Sequence, residues 1–501
     1  MARLILCLIL CYLPVAAMAA TLFPKPGELQ RDVDFWVRIY AKVDTHSGLL
    51  HDPWDLSVVY EQLSLPVGTS GAARQALIDQ AKGRYQAALR QLAAGKRANL
   101  SREEQLALAA WPKGTSAARF RQAADEIRFQ LGQSDRFHAG LVRSGQWRAH
   151  IRATLAEFGL PQELDVLPHV ESSFNPSAYS KVAAAGMWQF MPQTARQFMT
   201  VDELLDERLD PYVASRAAAR LLHNNLRVTG NWPLAITAYN YGPGGVSRAV
   251  KALNSDDIVT VVRRFRGPAF GFASRNFYVS FLAALEVDRN HKKYFGDVAM
   301  AAPLDYDRVT LAEYVQADAL ARAVGTSLEN LRAHNPALLD PIWAGEKWIP
   351  RGYTLKLPRA GLKQPLASSL AAMPGSQRFA YQKPDVLHRI AKGETLSHIA
   401  SRYKISVREL MAVNGLTNHN IRAGQSLRLP GRVDGALAAA GQKTAGADGG
   451  DVYVIQPGDS LWRIARRFNR TEQELVAWNG LSDKHRIMPG NTLRVGMTAD
   501  Y

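Results

Sequence analysis

One pattern occurs twice near the end of this chain, and it limits the fold there to a small duplicated unit. Gly393-Glu394-Thr395-Leu396, Ile399-Ala400, Tyr403, Leu410 and Asn414-Gly415-Leu416 recur with the same internal spacing. The copies are Gly458-Asp459-Ser460-Leu461, Ile464-Ala465, Phe468, Leu475 and Asn479-Gly480-Leu481. A one-residue insertion then brings Gly424 and Leu427 onto Gly490 and Leu493. Repetition of this kind marks modules that fold as units. Each copy reads as strand, helix, helix, strand, which places the modules at 384–430 and 451–496. A worn copy of the same skeleton, with Leu320-Ala321, Leu328, Leu331 and Asn335-Pro336, occupies 300–360 but lacks the Gly-Asp-Ser-Leu turn. The Gly/Ala-rich run at 431–450 predicts a flexible linker, and 361–383 a second linker.

At 501 residues the chain is long enough for three or more units. Residues 1–19 have the layout of a signal peptide: Arg3, an apolar stretch from Leu4 to Val15, and an Ala17-Met18-Ala19 cleavage site. That stretch is too short to span a bilayer comfortably. Both cysteines, Cys7 and Cys11, lie inside it, so the exported protein is expected to have no disulfide, no thiolate chemistry and no Cys metal site. Each is preceded by leucine (Leu6, Leu10) rather than the small residue a lipid-modified cysteine needs. No cofactor is called for. The formal net charge of +16 suits an acidic partner, such as a peptide-bearing glycan or an anionic membrane surface. An exported chain without zinc-finger or helix-turn-helix patterns speaks against nucleic acid.

Residues 20–145 read as a helical N-terminal region, because QALIDQAKGRYQAALRQLA repeats its apolar positions at helical spacing. His46 and His51 raise the thought of a metal site, but without tight ligand spacing packing and turn roles fit better. Residues 146–295 form a second helical stretch. Asp210 before Pro211 predicts an N-cap, and the helix ending at Tyr241 stops at Gly242-Pro243-Gly244-Gly245. Within this stretch, Leu164, Leu167 and Glu171 share one helix face. A second helical segment is expected to stop at Pro192. A lone glutamate at a helix end is ordinarily a surface group. On an apolar face at a helix C-terminus, however, both desolvation and the helix dipole would hold its carboxyl protonated, which a general acid requires.

Glu171-Ser172, Asn175-Pro176, Ser180, Gly186-Met187-Trp188-Gln189-Phe190-Met191-Pro192 and Ala238-Tyr239-Asn240-Tyr241-Gly242 appear in the order and spacing of a known motif set. The chain resembles the soluble lytic transglycosylases, whose catalytic domain has the goose-lysozyme-like fold, and its repeats resemble LysM modules. The fold class implied is mainly α: a lysozyme-like helical catalytic domain behind a helical N-terminal region, followed by small βααβ modules. The resemblance implies cleavage of peptidoglycan glycan strands by a single acid, Glu171. It serves first as acid on the glycosidic oxygen and then as base on the C6 hydroxyl of N-acetylmuramic acid, which closes a 1,6-anhydro ring. Ser180, Gln189, Tyr239, Asn240 and Tyr278 would hold the sugar, with Ser172 beside the acid. Met187, Trp188 and Met191 would be apolar wall.

The resemblance also implies that the LysM turns, Gly393, Glu394, Thr395 and Leu396 and their counterparts Gly458, Asp459, Ser460 and Leu461, border a shallow sugar groove together with Asn414 and Asn479. It implies an exported, periplasmic protein able to associate with the outer membrane. Two alternatives stand beside this reading. A hydrolysing muramidase on the same fold would need a second carboxylate: nearby there are only Glu163 and Asp165, of which Asp165 lies on a different face and is a poor candidate, and the distant acids Asp206, Asp210 and Glu286 stay open. A wall-binding scaffold would need no acid at all.

Overall fold

The computed structural model describes residues 22–383 and 385–429 and, further on, 452–455, 460–461, 464–465, 468, 472–481, 487 and 491–495. The signal segment at 1–19, the linker at 431–450, and Gly458 and Asp459 lie outside the described residues. Two compact units emerge. One runs to Met199 and resumes at Arg208–Pro303; the other joins Thr200–Glu207 to the chain from Leu304 onward.

The first unit begins with α1 (Gln30–Ala41), which buries Val33, Trp36, Ile39 and Tyr40 along one stripe. Then come β1 (Ser47–His51), β2 (Val59–Ser64), α2 (Gly71–Ala93), α3 (Arg102–Ala110), α4 (Ala117–Glu126) and β3 (Arg128–Leu131). Serines cap all three helices: Ser70, Ser101 and Ser116 each accept from a backbone N–H in the first turn, and Ser101 with Glu104 forms a full capping box. The three strands form an antiparallel sheet with β1 in the middle. Helical spacing in 71–93 is legible in the sequence; this sheet is not, because strands of four to six residues are too short to display alternation. Glycine is required at position 48, where a Cβ would lie 2.2 Å from the Phe129 ring across the sheet. The metal site considered at His46 and His51 is not assembled. His51 is buried against Phe35 and Phe272, whereas His46 is exposed beside Asp44.

Helix α5 (Ser134–Glu157) runs straight through the boundary expected at 145/146, so the N-terminal region and the catalytic region are one body that shares a helix. A 3-10 turn over Gln162–Val166 leads into α6 (Leu167–Ser172). Pro168 therefore sits in the first turn of α6, where its missing N–H costs nothing, and does not kink a longer helix. A correction follows at 186–192: the segment before Pro192 is not helical. Pro192 opens the short α7 (Pro192–Ala195) for the same reason that Pro168 opens α6.

Next are α8 (Pro211–Thr229), α9 (Trp232–Tyr241), α10 (Pro243–Leu253), α11 (Ile258–Arg264), α12 (Phe272–Arg289) and α13 (His291–Phe295). As the sequence predicts, Asp210 caps α8 through the N–H groups of Tyr212 and Val213, and Gly242 ends α9 with φ +81°. Helix α12 buries every residue from Ser274 to Ala284, which makes it the central helix of the unit.

The second unit contains β4 (Tyr306–Thr310), β5 (Tyr314–Val315), α14 (Ala317–Val324), α15 (Leu328–His334), α16 (Asp340–Trp343), β6 (Thr354–Pro358), α17 (Leu366–Ala371) and β7 (Arg378–Phe379). Strand β4 pairs antiparallel with β6 around α14 and α15, which is the strand-helix-helix-strand order of the worn repeat. Residues 361–383 are not a linker. Leu366 and Met373 enter the module's core, and β7 pairs with β5. Leu205 belongs to the same core and bridges to Leu338.

The first full repeat has β8 (Val386–Arg389), α18 (Leu396–Arg402), α19 (Val407–Val413) and β9 (Ser426–Leu429). In the second, the described residues include β10 (Val452–Val454), α20 (Glu472–Asn479) and β11 (Thr492–Arg494). Each repeat closes its own small core.

Candidate active site

Helix α6 is six residues long and carries Glu171 in its last turn. It ends because Ser173 and Phe174 turn left-handed, at φ 52° and 57°. Non-glycine residues resist that conformation. Here it is held by Arg143, whose guanidinium donates twice to the Ser173 carbonyl at 3.0 and 2.6 Å. Phe174, driven inward, is fully buried.

Beneath the helix lies a charged network that sequence reading missed. The His169 ring stacks on Phe137 with centroids 4.1 Å apart, and Nε2 sits 3.1 Å from an Asp288 oxygen. Arg148 grips the same carboxylate with two bonds of 2.8 and 2.6 Å. Burial alone would raise the Asp288 pKa, but Arg148 and His169 hold it well below the usual carboxylate range. Burial also lowers His169, which keeps the ring neutral. The network fixes α6 from behind, and nothing local in the sequence signals that residues 148, 169 and 288 meet.

Glu171 itself is half-buried, and desolvation raises its carboxyl from the ordinary 4.5 to about 8. Two tyrosines feel its charge: Tyr239 on α9 and Tyr40 on α1, both raised chiefly by burial and further by Glu171. Tyr40 lies in the N-terminal region that reads from the sequence only as helical; no motif marks it as a neighbour of the acid.

The loop between α6 and α7 is knitted to the surrounding helices. Ser172 Oγ donates to the Met187 carbonyl (2.8 Å) and accepts from Asn175 N–H. Ser180 Oγ accepts from Ala184 N–H, and Gln189 Nε2 donates to the Gly186 carbonyl at 2.8 Å. Tyr239 donates its hydroxyl to the Trp188 carbonyl at 2.9 Å, and its ring lies parallel to that of Phe277. Trp188 is buried, with its indole N–H on Ser215 Oγ. Position 186 admits only glycine: its φ is +78° and a Cβ would lie 1.8 Å from the Arg208 carbonyl.

The structure thus brings Glu171, Ser172, Gln189 and Tyr239 around one loop. Asn240 follows on α9, exposed, and accepts from Ser274 Oγ at 2.7 Å. Tyr278 is not brought to the acid. It is wholly buried and its hydroxyl donates to Pro24 at 2.6 Å, because one residue's rotation along α12 turns Phe277, not Tyr278, toward Tyr239. Met187 and Trp188 are buried wall as expected, whereas Met191 is exposed.

Residues 149–261 match the transglycosylase SLT domain, and 388–430 and 453–496 each match the LysM domain. Membrane-bound lytic murein transglycosylase D of Escherichia coli is 27% identical over 403 residues, covering 74% of this chain and 83% of that protein. This chain is a lytic transglycosylase with two LysM domains. A more local relative is N-acetylmuramoyl-L-alanine amidase sle1 of Staphylococcus aureus, 36% identical over 110 residues, which are 22% of this chain and 33% of that one. Among solved structures, the 70 kDa soluble lytic transglycosylase of E. coli aligns at 21% identity over 46% of this chain and 32% of its own, with a TM-score of 0.22.

The acids that a hydrolysing muramidase could use as a second carboxylate are all engaged. Glu163 pairs with Arg289 and Asp165 with Arg152, Asp210 caps α8, Glu286 accepts from Tyr294 at 3.5 Å, and Asp206 is buried in the second unit. Among the described residues no group of three His, Cys, Asp or Glu is placed to hold a metal ion, and no helix is long and apolar enough to cross a membrane.

In the LysM domains the signature residues build the fold. Gly393 turns at φ +87°, Thr395 caps α18, and Leu396 is core. Glu394 accepts from His388, from the backbone of Ala391 and from Arg402. Asn414 donates to the carbonyls of Leu410 and Arg428 and accepts from Arg428 N–H; Asn479 does the same with Leu475 and Arg494. Asn335 repeats the clamp in the worn module with Leu331 and Lys356. These amides are spent inside the modules, because a strand's backbone must be tied to a helix end. The sugar-facing role expected of Asn414 and Asn479 is therefore not where their side chains point. Leu461 is buried like Leu396, and Ser460 is exposed.

Proposed function

We propose that this lytic transglycosylase cleaves the β-1,4 bond between N-acetylmuramic acid and N-acetylglucosamine in peptidoglycan and leaves a 1,6-anhydromuramoyl end, with Glu171 as its one acid and base. The protonated carboxyl gives its proton to the glycosidic oxygen as the bond to C1 breaks. The resulting carboxylate takes the proton of the C6 hydroxyl, whose oxygen closes on C1. The acid is regenerated and no water is consumed, so no second carboxylate is needed. The observation that carries this reading is the desolvated Glu171 carboxyl, held at about 8 and so protonated at neutral pH.

Ser180, Gln189, Tyr239 and Asn240 position the muramoyl ring along the loop and the end of α9, and Ser172 holds the loop to the acid's helix. Tyr278 acts only through the packing of α12. The LysM domains hold the enzyme on glycan strands and raise the local substrate concentration. The signal segment directs the protein to the periplasm, where its positive charge also suits an anionic membrane surface.

The deciding experiment is mass spectrometry of muropeptides released from purified peptidoglycan. Products lighter by one water than hydrolysis products support the proposal. Reducing ends would mean a muramidase, and binding without products would mean a scaffold. Glu171→Gln should abolish release while glycan binding persists.

A further inference from the structure

Helix α5 is shaped to receive the end of the acid's helix. Phe137, Gly140 and Arg143 follow one another at three-residue spacing, so they share one face of α5. Phe137 stacks on His169. Gly140 leaves the room for α6 to come close: a Cβ there would lie 2.9 Å from His169 Nδ1 and 3.1 Å from the Ser173 carbonyl oxygen. Arg143 reaches that same oxygen, with Nε at 3.0 Å and a terminal nitrogen at 2.6 Å.

The direction of this carbonyl is set by ψ of Ser173 and φ of Phe174, and both are left-handed, at 46° and 57°. Two residues in succession with a Cβ resist that conformation. The N–H groups of Ser173 and Phe174 close the turn on the carbonyls of His169 and Pro168, at 3.3 and 3.0 Å. Phe174 lies edge-on to the His169 ring, with centroids 4.7 Å apart. Of these contacts, the guanidinium fork is the one that fixes the peptide between the two left-handed residues.

Were Ser173 to relax to the right-handed or the extended region, α6 would lengthen or lose its last turn, and Glu171 stands in that turn. The charge of Arg143 is not the lever. Desolvation raises the Glu171 carboxyl, whereas a neighbouring cation would lower it. We propose that Arg143 is a positioning residue for the acid: by forking onto the Ser173 carbonyl it holds the left-handed end of α6, and with it the place of the Glu171 carboxyl. The catalytic consequence rests on the transglycosylase reading above.

The first test needs no catalysis. It follows the glutamate carboxyls of the full-length protein by carbon NMR across pH, with Glu171 assigned by its loss in Glu171→Gln. The wild-type carboxyl should titrate at about 8, and in Arg143→Ala it should move toward the ordinary 4.5 as water reaches it. Arg143→Lys keeps the charge and the apolar stem but not the fork. It should move the titration the same way, and it decides the matter if the alanine variant does not fold. Adding Ser173→Gly to either variant should restore the raised value, because glycine takes the left-handed turn without a clamp. A titration that stays or rises in the Arg143 variants, one that Ser173→Gly does not restore, or a wild-type carboxyl at the ordinary value overturns the proposal. The second test is a double-mutant cycle on short soluble glycan strands. Arg143→Lys should lower kcat on the order of tenfold, and less than about threefold in the Ser173→Gly background. Equal losses in the two backgrounds overturn the proposal. If the wild type releases no anhydro products, the transglycosylase reading fails, and the titration alone decides the role of Arg143.

Discussion

Replacing Glu171 by glutamine should stabilise the protein at neutral pH and leave it nearly unchanged at pH 5. The folded carboxyl titrates near 8, against an ordinary 4.5. Between those values the unfolded chain ionises and the folded chain does not, so the native state holds the extra proton. Stability therefore falls as pH rises through that window, by about 1.4 kcal/mol per unit and about 5 kcal/mol in total. Below pH 4.5 both states are protonated and the penalty vanishes. Glutamine is nearly isosteric and does not titrate, so the mutant escapes the penalty. At pH 7.5 the difference should be about 4 kcal/mol, or on the order of 10 °C in the midpoint of the first unit. At pH 5 it should shrink below about 1 kcal/mol. Thermal scans of the two proteins side by side, every half unit from pH 4.5 to 8, measure this difference, and other titrations cancel in it. Parallel curves across the range would refute the claim that Glu171 is desolvated, and the argument for a standing general acid would go with it.

Three further outcomes follow from the same geometry. The pH profile of kcat/KM should fall above about pH 8 as Glu171 loses its proton, and Glu163→Gln should leave the profile unmoved, since Glu163 is paired with Arg289. Asp288→Ala removes the two short bonds of the half-buried Arg148, leaving it only Asp165 at 3.9 Å, and removes the acceptor of His169; denaturant unfolding should show a loss of about 3 kcal/mol, with turnover lowered through displacement of α6. Asn414→Ala removes three hydrogen bonds from one small module, about 3 kcal/mol in all. A module of this size has little stability to spare, so affinity for insoluble peptidoglycan should fall while cleavage of short soluble strands is retained.

What the sequence disclosed depended on how far apart the cooperating residues lie. The caps at Asp210 and Gly242 and the repeat's strand-helix-helix-strand order are local, and the structure has them. The helix expected before Pro192 failed because proline marks a helix start as readily as a stop, and the backbone around it cannot be told from the residue alone. Residues 361–383 looked like a linker because their few apolar side chains, Leu366 and Met373 among them, are sparse. They gain a partner only when β7 finds β5. Tyr278 and Phe277 differ by one position on a helix buried all round, where no amphipathic pattern says which ring faces the cleft.

The Asn414 and Asn479 motif shows a different limit. A residue type that recurs at a fixed place in a binding module can recur because the module needs it to fold, and three copies of one amide clamp here argue for that.

The acid's chemistry is the least local property of all. Sequence spacing placed Glu171 on an apolar face, but its raised pKa comes from desolvation by groups scattered along the chain. Tyr239 comes from α9, and Tyr40 from a region that reads as a lead-in. Tyr40 also lies at a tilt against Phe137, which in turn supports His169, one helical half-turn from the acid. The N-terminal region is thus part of the wall that keeps water from Glu171. It shares helix α5 with the catalytic region, so a fragment that began at residue 146 would cut that helix and open the wall. Its glutamate should relax toward an ordinary carboxyl, ionised at neutral pH and unable to donate the proton on which the first step depends.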